Sequence, residues 1–349
     1  MTKWIKSARF DWWWFIAPQL LPALAIFFLP QSFLQNQETE IFPLSWILIV
    51  LCVDVTHVYA IVYKTYFKQE AWKTLGFKMK IFPFVVWLGG IFIYSISSYL
   101  FWSLLAYFAV YHFIRQQYGF FRMYTRVQEE VPWKRYMLNS TIYASTVIPV
   151  LIWHCRGQQN FNWMQKGDFK YWNLPQLEPI LTVLLIIILC VYLYLEYEET
   201  KKILGWNWGR ILLTLSTAFA WYVSILVINN DFTFSLVNVL GHGIPYFALV
   251  WISEKKNAQN ENEPVLKLIY GKLGILLFGI IIFCMAYLEE GFWDTFVWRE
   301  HQETFGWMYF TKNVDDSQIL AFIVPLLTMP QVVHYILDAY IWKKNPKTE

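Results

Sequence analysis

Long apolar runs, each closed by a short polar or charged stretch, recur from one end of the chain to the other. The first is entered through Asp11-Trp12-Trp13-Trp14 and continues to about Phe33, and the next nine are Ile41–Tyr63, Ile81–Ile96, Tyr99–Phe121, Met137–Trp153, Pro179–Tyr197, Trp208–Ile228, Phe232–Ser253, Val265–Leu288 and Gln318–Trp342. At 1.5 Å of rise per residue such runs are long enough, two of them only just, to cross about 30 Å of hydrocarbon. The pattern predicts an all-α, polytopic transmembrane bundle of ten spans, in a single integral-membrane domain covering residues 1–349. The Ser97-Ser98 step is the expected tight turn between the third and fourth spans. A polar, acidic link follows the first span, from Gln31 to Glu40. Two outer segments, His154–Glu178 and Glu289–Ser317, are long and rich in aromatic residues, as a folded cap would be.

Composition agrees. Hydrophobic residues make up 57% of the 349 and charged residues only 15%, with mean hydropathy +0.36, against about 25% charged in soluble domains. Prolines at 18 and 22, and the lack of a small-residue cleavage site, make the first run a retained span rather than a removable signal. The 20 tryptophans and 22 tyrosines cluster toward span ends as interfacial anchors. Cys52, Cys155, Cys190 and Cys284 show no C-x-x-C spacing and read as packing residues.

Charge then orients the bundle. With the N-terminus inside, every Lys and Arg except Arg156, Lys166, Lys170, Arg299 and Lys312 falls on the inner side. Cytoplasmic loops carry such an excess, so both termini are expected in the cytoplasm, with a bacterial inner membrane as the setting. The net charge of +3 is accounted for by this sidedness and gives no reason to invoke nucleic acid.

The candidate chemistry is one histidine in each of four runs: His57, His112, His242 and His334. An ionisable side chain inside a membrane span is costly and marks a functional site. All four lie on spans that run inward, 7 to 13 residues before Lys64, Arg122, Lys255 and Lys343. That separation is roughly 10 to 20 Å along a helix, which sets the rings in one slab of the cytoplasmic half. Polar neighbours three or four residues away share their faces: Asp54 with His57, Arg115 and Gln116 with His112, Asn238 with His242, Asp338 with His334. The expected assignment makes the four histidines metal ligands, lets Asp54 and Asp338 orient ligands or move protons, and gives Arg115 an internal ion pair or an anionic group to steer. Gln116, Gln117, Asn238 and Gln331 would line the substrate or support the ligands. Pro245 is expected to kink the eighth span beside His242, while His154 and His301 are expected in solvent at the outer surface.

Imidazole and carboxylate ligands suit iron, copper, zinc or nickel. Non-haem iron is the favoured cofactor. Copper and zinc remain open, as does a non-covalent haem b, since no C-x-x-C-H attachment exists. The expected partners are membrane lipids, a hydrophobic substrate and, for oxidative chemistry, an electron donor. A proton- or ion-coupled transporter using the same polar slab is the alternative, and a scaffold without turnover is a third reading. In layout, with one histidine on each of several membrane helices, the chain resembles the bacterial carotene-cleaving dioxygenase family, whose members hold one iron with four histidines. The resemblance covers no continuous motif, so it implies a class of chemistry and assigns no residue.

Overall fold

The computed structural model describes residues 3–30, 43–126, 131–159, 162–201, 205–259, 263–312 and 314–342. The Gln31–Glu40 link, Lys202 and the basic tail with Lys343, Lys344 and Lys347 lie outside the described residues. Of the described residues 81% are helical, and among them the only pairing of extended backbone is an isolated antiparallel bridge between Arg156 and Asn173. Helices dominate because hydrocarbon offers backbone N–H and C=O groups no partner, so each must be satisfied within its own segment.

Among the described residues eight helices are long and apolar enough to cross a membrane: α2 (Pro43–Tyr63), α3 (Gln69–Ile96), α5 (Pro132–Cys155), α6 (Leu177–Thr200), α7 (Trp208–Val227), α8 (Asp231–Asn257), α9 (Gly274–Trp298) and α10 (Ser317–Ile341). The other two expected spans are also helical, as α1 (residues 8–28) and α4 (Ser98–Thr125). Their hydropathy falls below that of the eight. Prolines, Gln19 and tryptophans dilute α1, while His112, Arg115, Gln116, Gln117 and several tyrosines dilute α4.

Helix ends depart from the hydropathy boundaries where a side chain satisfies the terminal amides. The third helix starts at Gln69, well before the apolar run at Ile81, because the Glu263 carboxylate accepts from the N–H groups of Gln69 (2.8 Å) and Glu70 (3.0 Å). Asn207, Asn230 and Asp316 cap α7, α8 and α10 in the same way. At its other end α9 runs past the expected stop at Leu288 to Trp298. Glu289 is accommodated there by the hydroxyl of Tyr59 (2.5 Å) and the indole of Trp293 (3.4 Å).

The chain divides into two compact units, one drawn from Met1–Ile41 and Ala106–Pro245, the other from Phe42–Leu105 and Tyr246–Glu349. Helices α4 and α8 supply residues to both. In the first unit α5 packs on α6 and α7, and α7 on α1. Within it, Arg210 and Glu196 form a fully buried bidentate pair (2.6 and 3.0 Å) and buried Glu199 pairs with Lys134 of α5, so α6 carries two charged residues inward while its Ile180, Val183, Ile186 and Ile187 stay exposed. In the second unit α10 packs along α3, and α9 against α2. A core of Tyr63, Tyr246, Val250, Phe278 and Ile282 joins α2, α8 and α9.

Both long aromatic-rich segments fold onto helix ends. After α5, the N–H groups of Trp172 and Leu174 donate to the carbonyls of His154 (2.7 Å) and Cys155 (2.9 Å), and buried Asp168 accepts from three backbone N–H groups at 163–165. After α9, the N–H groups of Glu300 and His301 and the Tyr309 hydroxyl donate to buried Asp294 near the end of that helix. Burial raises the Asp168 carboxyl above its ordinary range, partly offset by those N–H donors.

Candidate metal centre

Two helices bring the first pair of histidines together. His112 on α4 and His242 on α8 meet edge to face, with ring centroids 5.0 Å apart and planes at 74°. Phe113 stacks flat on His242 at 3.8 Å, fixing the plane of that imidazole. Gln116, one turn along α4 from His112, donates to the backbone carbonyl of His242 (3.3 Å). The approach of α1 to α8 requires glycine at 241: a Cβ there would sit 2.6 Å from Gln19 Cβ. The turn before His242, Ser235–Val239, is wound as π-helix, a local widening that re-aims side chains and recurs at functional sites.

The second pair lies in the other unit. His57 on α2 and His334 on α10 also meet edge to face, with centroids 5.2 Å apart at 81°. Tyr246 on α8 packs its ring edgewise on both, 5.8 Å from His57 and 5.0 Å from His334. Trp46–Val55, the stretch of α2 before His57, is π-helical too. Asp54 Oδ1 stands 3.8 Å from His57 Nδ1, and Asp338 Oδ2 stands 3.8 Å from His334 Nε2. His57 Nδ1 is also 3.2 Å from the carbonyl of Val53, so a metal ion would take Nε2.

Helix α8 ties the pairs together in sequence, because His242 and Tyr246 are four residues apart and share a helical face. One ring nitrogen from each of His57, His112, His242 and His334 lies within 4.8 Å of the other three, and all four residues are buried. Two nitrogens bound to one ion at about 2.1 Å are at most about 4.2 Å apart, and about 3.4 Å in a tetrahedron. Four imidazoles, one held at its second nitrogen by a carbonyl and two flanked by carboxylates, match the donor set and outer support of a transition-metal site. The group could therefore hold a metal ion.

The supporting residues divide. Asp54 and Asp338 sit beside His57 and His334, and Gln116 reaches the backbone of His242. Gln117 belongs to a separate buried network, donating to Gln19 (3.4 Å) and accepting from Thr217 (3.1 Å). Asn238 donates to Ser224 (2.6 Å) and Gln331 to the hydroxyl of Tyr335 (2.7 Å). Arg115 departs from its expected role. It is exposed on α4, donates to the Tyr143 hydroxyl and lies over the Tyr118 ring (4.9 Å), because α4 turns it away from the face that carries His112. Pro245 is carried inside a helix that continues through it.

His154 is buried rather than solvated, held between the Val150 carbonyl (2.7 Å) and the Tyr107 hydroxyl (2.9 Å). His301 stacks on Trp46 (3.7 Å) with Nδ1 3.6 Å from Asp294. Sequence reasoning passed over Tyr246, whose hydroxyl donates to Asp338 Oδ1 (2.7 Å). The signal was present, since Tyr246 is one turn from His242, but it resembled any interfacial tyrosine. It also passed over Glu290, which α9 sets within electrostatic reach of Glu289, Asp54 and Asp294.

No family model, no curated protein and no solved structure matches the chain.

Proposed function

We propose that the protein is an integral-membrane metalloenzyme in which His57, His112, His242 and His334 hold one non-haem iron that oxidises a lipid-soluble substrate. The observation that carries this reading is the convergence of four buried ring nitrogens from four apolar helices within 4.8 Å. Isolated structural histidines would each need only one hydrogen-bond partner and would have no reason to gather. Iron so bound would supply electron transfer and oxygen chemistry. The chain's own residues would do the rest: Asp54 and Asp338 orient His57 and His334, Gln116 anchors the α8 backbone, and Phe113 fixes the plane of His242. Burial among apolar helices excludes bulk water and favours isoprenoid, quinone or acyl substrates that enter from lipid. The inward-biased charge of the sequence supports a site in the cytoplasmic half of the bilayer, with both termini in the cytoplasm. The layout shared with the carotene-cleaving dioxygenases agrees with oxidative chemistry on such a substrate.

One observation favours a second reading. Asp54, Glu289 and Glu290 bring three carboxylates together within spanning helices, as a proton- or ion-coupled transporter would. Metal analysis of the purified protein separates the two. Iron near one equivalent, lost on single replacement of a cluster histidine, supports the enzyme. Metal-free, folded protein that drives pH-dependent uptake in vesicles replaces it with the transporter.

A further inference from the structure

Tyr246 is 1% exposed, on the helix that also carries His242. Its hydroxyl donates to Asp338 Oδ1 over 2.7 Å, while the other oxygen of that carboxylate stands 3.8 Å from His334 Nε2. The ring is in edge contact with His57 and His334, so no other side chain need intervene between the phenol and two of the cluster histidines. Packing alone would be served by phenylalanine. Burying a phenol in an apolar bundle costs free energy unless its hydroxyl is paired, and here it is paired with the carboxylate of half-buried Asp338. The arrangement joins an oxidisable ring, a proton acceptor at hydrogen-bond distance and direct contact with the metal-ligand rings.

We propose that Tyr246 is a redox-active residue that gives one electron to the metal site while its phenolic proton passes to Asp338. The proposal rests on the four histidines holding iron. In the step, the Tyr246 O–H bond breaks, the electron leaves through the ring, and the proton forms an O–H bond with Asp338 Oδ1. With hydrogen peroxide as oxidant, two electrons reduce it to two waters, one from ferrous iron and one from the phenol. Both protons for the waters come from solvent, while the phenolic proton stays on Asp338. Tyrosine is restored when the radical takes a hydrogen atom from the substrate and Asp338 releases its proton to solvent, which fits an oxidation that begins at a weak C–H or O–H bond of a lipid.

The test uses the full chain in detergent, loaded with ferrous iron, mixed with hydrogen peroxide, frozen and examined by electron paramagnetic resonance, with iron content measured on each sample. Wild type is expected to give a tyrosyl signal. Tyr246→Phe is expected to keep its iron and lose at least tenfold of that signal, and Asp338→Asn to reduce its yield by removing the proton acceptor. Fluorotyrosine placed at 246 provides a second measurement that does not depend on the Phe variant folding, and the signal should acquire fluorine splitting. Iron-loaded wild type without a radical, a full signal in Tyr246→Phe, or an unsplit signal from the fluorinated protein overturns this inference alone. Wild type that binds no iron overturns it together with the metal reading.

Discussion

Replacing His334 by alanine removes one of four ring nitrogens that lie within 4.8 Å of one another. Metal binding by four protein ligands contributes on the order of 10–16 kcal/mol where it has been measured in small structural sites, or roughly 3–4 kcal/mol per ligand. Losing one should therefore weaken affinity by about two to three orders of magnitude. His334 is also fully buried against His57, Tyr246 and Tyr335, so truncation leaves a void that costs about 2–4 kcal/mol of stability whether or not metal is bound. His334→Gln keeps much of the volume and separates the two effects. The assay is competition of the purified protein against a chromophoric chelator, alongside metal content and thermal unfolding. His154→Ala is the control, since that buried histidine is hydrogen-bonded to Tyr107 and Val150 and stands outside the four-histidine group. Asp338→Asn should lose about 10–100-fold, as residues supporting a ligand do. Unchanged affinity in both His334 variants, or an equal loss in His154→Ala, would refute the assignment of these rings as one coordination sphere.

Gly241→Ala would set a Cβ 2.6 Å from Gln19 Cβ and 3.3 Å from its Cα. A loss of about 1–3 kcal/mol is expected from forcing α1 and α8 apart, and an unchanged melting temperature in detergent would contradict the close approach. Arg210→Met leaves Glu196 buried without its partner and should cost about 3–5 kcal/mol, much of it recovered in the double variant with Glu196→Leu. No recovery in the double variant would show that the pair's charge is not what the single variant disturbs. Asp168 has its carboxyl raised by burial, so its neutral form is favoured in the folded state and the folded protein loses stability as pH rises through that raised value. Asp168→Asn imitates the protonated form. Its melting temperature should gain on wild type as pH rises and match wild type at low pH, and a difference independent of pH would count against this.

Much of this protein was legible in its hydrophobic pattern. A run such as Ile41–Tyr63 has one stable form in hydrocarbon, a helix, because only a helix pairs its backbone within itself. The same argument singled out His57, His112, His242 and His334, since each is an imidazole with no water to solvate it and so needs a purpose or a partner. Depth along a helix follows from counting residues to the next lysine or arginine, and neighbours such as Asp54 and Asp338 follow from helical periodicity.

Which way a side chain points around its helix was decided only by packing. Arg115 lies three residues from His112, yet the tertiary structure turns it outward to Tyr143 and Tyr118. Gln117, equally close in sequence, joins Gln19 and Thr217 rather than the histidines. Helix ends were settled by distant groups, as when Glu263 starts α3 at Gln69 and Tyr59 keeps Glu289 inside α9. The partnership of Tyr246 with Asp338 spans 92 positions. Periodicity describes one helix at a time, whereas a hydrogen bond between two helices depends on their mutual rotation, which is set by the summed packing of every residue along both.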